Sequence, residues 1–500
     1  MTAQRRVLLI NPRITSPRHA RFPLSLLTLA GALEQKAICK VVDGNVDATY
    51  LSNIEHALAA ERYDAVGMTV MGGPQVQSAI DCSKLIRRVS PKTPIVWGGY
   101  FPTLYTNAAL NAPYVDYAIR GAGEIALAEL LDVLPGEPDS IAGLSWKRGD
   151  AVVHNEDRRS RDDRPAAPLP YDLLGDPRTY LARTFLGNRT AVHQAALGCR
   201  FRCTFCGVAA MFSGATFLPP AARLERDLTW LKDSLGADSL QFFDHNFFDR
   251  EAAMIPLLEV LGRIQLPWWC YARADALVGM SEAAWKLVRK SRLKMAYIGA
   301  ESPNDAMLAS IRKGTHSNQT LEVAELCRRN GVVPEFSFMV GPPDDTEAET
   351  ERTFEFIRQV KKVNPDSEII IYIYTPLPPD SLPKSARVRA GARQLQDLNG
   401  SPIQYPTTPE EWTEKRWVDY SCHADAPWLT ERVRQRIRNF TTVLGCRFPT
   451  AQDVRNPAWT KTALKAMASW RYRFRRYDRP WELALSKRLV RLANPQVTSL

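Results

Sequence analysis

Short apolar runs alternate with helical patterns along the first 135 residues, and this alternation restricts the fold more than any other feature of the sequence. Each run has the length of a buried strand, and the segments between them carry apolar residues at helical spacing. Such alternation predicts a parallel sheet with helices on both faces. The predicted strands are RVLLINP (6–12), ICKVVD (38–43), DAVGMTV (64–70), PIVWGG (94–99) and VDYAIRG (115–121).

Glycine-bearing turns follow three of these strands, at residues 71–74, 98–103 and 120–124. They fall at the carboxyl ends of the strands, where doubly wound sheets bind ligands. Glycine lets a bulky ligand approach the backbone closely. No G-x-G-x-x-G follows the first strand, which disfavours a dinucleotide. We therefore predict a flavodoxin-like domain over residues 1–135, which holds either a flat ligand at these turns or none.

The loop AALGCRFRCTFCG (195–207) places three cysteines at the spacing C-x3-C-x2-C. A structural zinc site needs four ligands, usually from paired short spacings, and no second C-x-x-C is present. A four-iron cluster held by three thiolates leaves one iron open to a substrate or cofactor. The loop therefore predicts an open [4Fe-4S] site, with Cys199, Cys203 and Cys206 as its ligands.

Strands and helices alternate again over residues 186–390, and polar residues stand where the predicted strands end. This pattern predicts a partial barrel whose site lies at the carboxyl ends of its strands. The candidate residues at these ends are Asp244 and Asn246 after SLQFF (239–243), Arg273 within WWCYARADAL (268–277), and Glu301 and Ser302 in MAYIGAES (295–302).

The order of these motifs over residues 5–385 resembles that of cobalamin-dependent radical SAM enzymes. The cysteine loop, with Phe205 before its third cysteine, is similar to the radical SAM signature. Two glycine turns are similar to those that close the cobalamin domains of the family, through Gly98, Gly99, Pro102 and Thr103 in one and Gly121, Gly123 and Glu124 in the other.

The resemblance implies three cofactors: a [4Fe-4S] cluster, S-adenosyl-L-methionine and cobalamin. Segment 43–47 lacks the histidine of the Asp-x-His-x-x-Gly motif, so no protein histidine from that motif would ligate cobalt. The resemblance implies that the three cysteines are catalytic and bind the metal. Its other implied cofactor contacts are Phe205, Asp244, Asn246, Arg273, Glu301, Ser302, Gly72, Gly73, Gly98, Gly99, Gly121 and Glu124.

Each polar candidate has a structural alternative. Glu301 either binds the ribose or amino group of S-adenosylmethionine or forms a salt bridge with a neighbour. Arg273 either binds the methionine carboxylate or forms an ion pair inside the barrel. Asp244 and Asn246 either line the pocket or cap strand ends. We expect His193 to satisfy backbone groups, and His245 stands where the family often has an acid.

By resemblance, the chain is an enzyme that methylates an unactivated carbon through a 5′-deoxyadenosyl radical and methylcobalamin. An alternative is a non-methylating reaction, such as oxidative cyclisation of a tetrapyrrole. A tRNA methylthiotransferase is less favoured, because only Cys39 and Cys82 precede the loop and the C-terminus reads as helical. A non-enzymatic cofactor sensor is a further alternative. The implied partners are a small-molecule substrate, lipid-like or tetrapyrrole, and an electron donor such as flavodoxin or ferredoxin, with no nucleic acid.

Composition indicates the compartment and the remaining domains. Nine cysteines are few for 500 residues and favour a reducing cytosol, and no apolar run is long enough to span a membrane. We place a linker at 136–185 and a helical region at 391–500. Residues 451–500 contain 11 Lys+Arg and 3 Asp+Glu.

Segment 479–492 reads as an amphipathic helix with Trp481 and Leu485 on its apolar face. Asp478 is the predicted N-cap of this helix. The helix either packs on the barrel or lies on an anionic membrane surface.

Overall fold

The computed structural model describes residues 4–158, 167–344, 346–378, 395–452 and 458–490. These residues form two parallel sheets with flanking helices, followed by helices at the C-terminal end. The predicted fold class is therefore confirmed. In these parts of the chain, every helix is too short or too polar to cross a bilayer.

The first sheet has seven strands. They are β1 (Arg5–Asn11), β2 (Ala37–Asp43), β3 (Ala65–Thr69), β4 (Ile95–Gly98), β5 (Tyr117–Ile119), β6 (Leu144–Arg148) and β7 (Ala151–His154). Their order is β2-β1-β3-β4-β5-β6-β7. The first five are parallel, as predicted, and their buried apolar faces pack against helices on both sides.

The sheet continues beyond the predicted boundary at residue 135. Strands β6 and β7 form an antiparallel hairpin, and β6 pairs with β5. The sequence LSWKRGDAVVH (144–154) carries the hairpin signal, with Gly149 in its turn at φ +59°. Placing all of 136–185 in a linker was therefore wrong, because part of it completes this sheet.

The helices of the first unit fill the connections between parallel strands. Helix α3 shows why they form: Val76, Ile80 and Ile86 lie on one face and are buried, and basic residues end the helix. The α-helices are α1 (Leu24–Leu33), α2 (Tyr50–Ala60), α3 (Gln75–Val89), α4 (Tyr100–Leu104), α5 (Thr106–Asn111) and α6 (Glu124–Val133). Short 3₁₀ helices lie at Pro17–His19, Tyr171–Leu174 and Pro177–Tyr180.

The second sheet has six parallel strands and forms the partial barrel. Its strands are β8 (Thr190–His193), β11 (Ser239–Phe242), β12 (Trp268–Ala272), β13 (Leu293–Glu301), β14 (Val333–Val340) and β15 (Glu368–Ile373), in the order β15-β14-β13-β12-β11-β8. A separate antiparallel pair, β9 (Leu197–Gly198) and β10 (Thr216–Phe217), flanks the cysteine loop.

Helices cover the outer face of the barrel. Outward side chains such as Phe242, Cys270 and Ile298 are fully buried against them. The helices are α7 (Gly207–Phe212), α8 (Ala221–Thr229), α9 (Glu251–Ile264), α10 (Ala274–Val278), α11 (Glu282–Ser291), α12 (Asp305–Ser310), α13 (Ser317–Asn330) and α14 (Thr346–Val363), and a π-helical turn lies at Trp230–Ser234.

The C-terminal region is helical where it is described, as predicted. Its helices are α15 (Pro409–Trp412), α16 (Lys415–Ser421), α17 (Glu431–Arg447), α18 (Ala458–Arg473) and α19 (Trp481–Val490). Helix α17 packs on α14 through stacked rings of Phe354 and Phe440, whose centroids are 3.8 Å apart. Helix α19 begins at Trp481, so the prediction that Asp478 caps it was wrong. The Asp478 carboxylate instead accepts from Arg436 at 3.3 Å.

Candidate active site

The cysteine loop lies between β9 and α7, at the carboxyl ends of the barrel strands. Gly198 enters the loop at φ +86°, and a Cβ there would lie 2.2 Å from the Ala215 carbonyl oxygen. Cys203 is buried, while Cys199 and Cys206 are half-buried. Burial, with smaller contributions from the neighbouring thiols of Cys203 and Cys199, raises the pKa of the Cys206 thiol to about 12.

The three thiols are neighbours without forming a site for a single ion. Within the described residues, no three His, Cys, Asp or Glu side chains are gathered closely enough for one metal ion. A four-iron cluster holds its thiolates on separate irons, so it needs a wider spacing than a zinc ion does. The loop fits the cluster better than a closed mononuclear site.

Arg273 places a cation beside the loop. Its Nη1 donates to Cys203 Sγ at 3.8 Å, and its guanidinium carbon lies 3.5 Å from the Phe201 ring centroid. The same guanidinium is bidentate to Asp275 at 3.0 and 3.1 Å and donates to the Lys313 carbonyl oxygen at 2.5 Å. These contacts match the ion-pair alternative. The role of Arg273 in binding a methionine carboxylate stays a prediction.

Glu301 ends β13 in a left-handed conformation, with φ +61°, where the register with β14 is interrupted. Its Oε1 accepts from Lys313 Nζ at 2.6 Å, and both side chains are buried. The salt-bridge alternative is therefore present in the structure. Lys313 Nζ also lies 6.0 Å from the ring centroid of Phe205, beside the loop. Sequence reasoning missed Lys313, because it stands in a polar segment with no motif around it.

Asp244 and Asn246 follow β11 and are both buried. Asp244 accepts from the backbone N–H groups of Ala195 and Ala196, at 2.9 and 2.6 Å, and so positions the segment that leads into the loop. Burial raises the pKa of Asp244 to about 7. Asn246 Oδ1 is buried and lacks a hydrogen-bond partner. An orphaned acceptor at this edge is the kind of group that a ligand satisfies.

His245 connects the loop to the first sheet. Its Nδ1 accepts from the Gly198 N–H at 3.1 Å, so its Nε2 carries the proton and donates to Tyr100 Oη at 3.2 Å. Burial lowers the pKa of His245 to about 4, which keeps the ring neutral. Tyr100 directly follows the turn Gly98–Gly99, a link between the two sheets that sequence reasoning missed.

Two of the three predicted glycine turns lie at this same junction. A Cβ on Gly121 would lie 2.9 Å from the Met211 carbonyl oxygen, and one on Gly207 would lie 2.9 Å from the Tyr100 ring. Helix α7 therefore approaches the edge of the first sheet at positions where only glycine fits. At the third turn, a Cβ on Gly73 would lie 2.8 Å from Cys422 Sγ in the C-terminal region.

The remaining candidates lie close by. Ser302 accepts from the Asn304 N–H through its hydroxyl at 3.0 Å. Glu124 lines a cavity of about 40 Å³ between the sheets, together with Gln194 and Arg223. His193 has no hydrogen-bond partner on Nδ1 and lies 3.8 Å from Asp227 through Nε2, so the expectation that it satisfies backbone groups was wrong.

Aromatic side chains line the interior of the barrel. Phe243, Tyr271, Tyr297 and Tyr372 alternate with the buried outward residues and are only half-buried. Tyr271 and Tyr297 meet edge to face, with centroids 5.0 Å apart. The hydroxyl of Tyr297 forms hydrogen bonds with Ser337 and Tyr372. These half-buried rings lie on the face of the strands opposite the helices, toward the barrel interior.

Family models match both halves of this arrangement. The B12 binding domain model covers residues 13–131, and the Radical SAM superfamily model covers residues 195–357. The chain belongs to the cobalamin-dependent radical SAM enzymes. The two models confirm the expected cofactors of this enzyme: a [4Fe-4S] cluster, S-adenosylmethionine and cobalamin.

Curated relatives of this radical SAM enzyme include proteins of two reaction types. It is 26% identical over 344 residues to an uncharacterized methyltransferase of Pyrococcus horikoshii, covering 68% of this chain and 73% of that protein. It is 24% identical to the anaerobic magnesium-protoporphyrin IX monomethyl ester cyclase of Synechocystis, covering 74% of each.

The fold is that of a solved structure. The radical S-adenosylmethionine methyltransferase TsrM from Kitasatospora setae, solved with cobalamin and a [4Fe-4S] cluster, matches with a TM-score of 0.64 and 17% identity. The match covers 93% of this chain and 99% of that one.

The residues at the junction fit these cofactors. Three thiols meet the need of an open cluster, with Arg273 placing positive charge beside one of them. The orphaned Asn246 oxygen offers an acceptor for S-adenosylmethionine. A Cβ on Gly98 would have its nearest neighbour at 3.9 Å, so this turn keeps open space for a corrin. Both nitrogens of His245 are engaged, one with Tyr100 and the other with Gly198.

Proposed function

We propose that the chain is a methyltransferase that acts on an unactivated carbon of a small molecule. The observation that carries the proposal is the junction itself, where the open cysteine loop faces the glycine edge of the B12-binding sheet across Tyr100 and Gly207. When bound, the cluster and S-adenosylmethionine supply the radical that removes a hydrogen atom, and cobalamin supplies the methyl group.

The protein contributes positioning and charge. Asp244 holds the backbone that leads into the loop, and His245 holds that loop against Tyr100. Asn246 and Glu301 would hold S-adenosylmethionine through their side-chain oxygens, and Lys313 fixes one carboxylate oxygen of Glu301. Asp244, Asn246 and Glu301 are buried, which limits the access of water to this edge of the barrel.

The aromatic interior of the barrel favours a planar or largely apolar substrate. Phenol and benzene rings form its wall, and hydroxyls of Tyr297 and Tyr372 supply polar contacts. A tetrapyrrole or a lipid-like molecule has this chemistry. The cyclase relatives favour oxidative cyclisation of a tetrapyrrole as the second candidate function, since it uses the same cofactors and a planar substrate.

The proposal includes the partners and the place of action. Reduction of the cluster requires an electron donor of the flavodoxin or ferredoxin type, and a reducing cytoplasm keeps the cysteines available. An amphiphilic substrate partitions into bilayers, so the proposal extends to a peripheral membrane contact through the C-terminal helices.

The test uses anaerobically reconstituted protein with S-adenosylmethionine and a chemical reductant. We expect 5′-deoxyadenosine from the wild type and none above background from Cys199→Ala, Cys203→Ala or Cys206→Ala. Cys39→Ala, which changes a half-buried cysteine outside the loop, is the matched control and keeps the activity. Cleavage that persists in the triple alanine variant would contradict a radical SAM site here.

A second stage separates the two candidate functions. The enzyme is incubated with methyl-labelled S-adenosylmethionine and either a porphyrin ester or an isoprenoid lipid. Methylation predicts a product that gains the labelled methyl group, whereas cyclisation predicts loss of hydrogen with no label. An unlabelled cyclised product from the porphyrin ester would replace the methyltransferase proposal with the cyclase one.

A further inference from the structure

Large apolar side chains are exposed on the C-terminal helices. Of the eleven exposed large hydrophobic residues within the described chain, six lie between residues 458 and 490. They include three tryptophans, exposed by 49 to 73%. We call this set the C-terminal apolar surface: Trp459, Met467, Trp470, Phe474, Trp481 and Leu485.

The exposure follows the helical period. On α18, Trp459, Met467 and Trp470 stand at i, i+8 and i+11, and Phe474 continues the same face through its N–H bond to the Trp470 carbonyl oxygen. The opposite side of this helix is buried through Leu464 and Ala468. Helix α18 thus has two apolar faces, and only one of them packs on the protein.

The surface stands on a rigid base. Arg471 is buried, and its Nη2 donates to Glu482 at 3.0 Å while its Nη1 donates to the carbonyl oxygens of Arg476 and Asp478 at 3.1 and 2.9 Å. These bonds hold α18 to α19, which presents Trp481 and Leu485. The rings are therefore displayed by fixed helices.

Cations surround the exposed rings. Lys465, Arg473, Arg476 and Arg479 are exposed, and the Arg473 guanidinium lies 5.8 Å from the Phe474 ring centroid. Both acids in the described segment 458–490 are already paired, Asp478 with Arg436 and Glu482 with Arg471. The charge around the rings is therefore positive.

We propose that the C-terminal apolar surface docks the enzyme on an anionic lipid bilayer. Tryptophan favours the headgroup region, where its ring is in apolar surroundings and its N–H is hydrated. Apolar side chains on rigid helices, flanked by Lys and Arg, match the pattern of interfacial helices that bind anionic lipids. A second copy of the chain would bring two positively charged surfaces together, which electrostatic repulsion opposes.

The C-terminal apolar surface is where the membrane contact of the proposed function would form. In this respect the inference rests on the proposed function. Vesicle binding is measured without turnover, so its failure is distinguishable from a failure of S-adenosylmethionine cleavage. Full-length protein is sedimented with phosphatidylglycerol-containing vesicles and with pure phosphatidylcholine vesicles. We expect binding to the anionic vesicles, weakened by salt.

The decisive variant is Trp470→Ala/Phe474→Ala/Trp481→Ala, which truncates exposed rings and leaves the buried faces intact. We expect it to lose at least about tenfold in vesicle partitioning. The matched control, Ile38→Ala/Leu398→Ala, truncates residues that are 48% and 55% exposed elsewhere and keeps wild-type binding.

Equal pelleting of the triple variant and the wild type would overturn the proposal, as would failure of the wild type to bind anionic vesicles. A wild-type dimer that the triple substitution dissociates, without vesicle binding, would assign the surface to a second copy. Tight RNA binding lost in the triple variant, again without vesicle binding, would assign it to nucleic acid.

Discussion

Replacing one partner of the buried Glu301–Lys313 pair is expected to lower the free energy of unfolding. The two charges are 2.6 Å apart with little access to water, so Lys313→Met leaves an uncompensated carboxylate. We expect the free energy of unfolding to fall by about 3 kcal/mol, and Glu301→Gln/Lys313→Met to recover most of that loss. Chemical denaturation of the apoprotein measures both.

An exposed pair provides the comparison. Lys415 lies four residues before Asp419 on α16, and its side chain is 86% exposed. Lys415→Met is expected to leave the free energy of unfolding nearly unchanged, because water and salt screen an exposed pair. Equal losses for the two lysine variants would show that Lys313 gains nothing from its burial beside Glu301.

For single residues, the sequence indicated which side chains form the site, but not which of them contact one another. The cysteine spacing predicted the cluster ligands, because three thiols on one loop are local information. The contact of Tyr100 with His245 joins residues 145 positions apart, and it depends on how two sheets dock. Lys313 pairs with a residue only 12 positions away, but a strand end and a helix separate them. Such contacts are fixed by tertiary structure.

Among the elements, β14 and β15 carry a pair of buried carboxylates, Glu335 and Glu368. Gln452 donates to both, at 2.5 and 3.2 Å, and so ties the C-terminal region to the barrel. Burial, with a smaller contribution from the nearby charge of Glu368, raises the pKa of Glu335 from 4.5 to about 8. The folded protein therefore keeps a proton that the unfolded chain releases above about pH 4.5.

The free energy of unfolding therefore falls as pH rises through the window between these two pKa values. Between pH 5 and 7 we expect the wild type to lose about 2 kcal/mol relative to Glu335→Gln, which has no proton to release. Burial lowers the pKa of Lys361 to about 7. Lys361 is therefore mostly protonated below pH 7, and the change over this interval is assigned to Glu335. Denaturation at the two pH values measures the difference, and parallel pH profiles of the two proteins would refute it.

Element prediction succeeded where the apolar pattern was long. The five parallel strands of the first sheet and helix α3 follow directly from their periodicity. Strand β8 is only four residues long, and the hairpin β6–β7 lies in a segment whose Arg and Asp content suggested a linker. Short strands at a sheet edge gain their stability from pairing, so their own sequence says little about them.

For the whole molecule, the docking of the two sheets depends on positions that accept no side chain. At Gly121, φ is +78° and a Cβ would meet the Met211 carbonyl oxygen of α7 at 2.9 Å. Gly121→Ala therefore pushes the cysteine-loop helix away from the B12-binding edge. We expect at least about tenfold weaker retention of cobalamin on gel filtration, with the iron content of the cluster unchanged, because the three cysteines all lie on the barrel side.

Gly149 supplies the matched control for this docking. It also has a positive φ, +59°, but nothing lies within 4 Å of a Cβ placed there. Gly149→Ala adds a similar backbone strain of about 1 kcal/mol without a clash between the sheets. The two variants should therefore show similar small losses of thermal stability from strain, while only Gly121→Ala releases cobalamin. Equal cobalamin retention by both would mean that the approach of α7 to the first sheet does not shape the corrin site, and that the glycine is there for the turn alone.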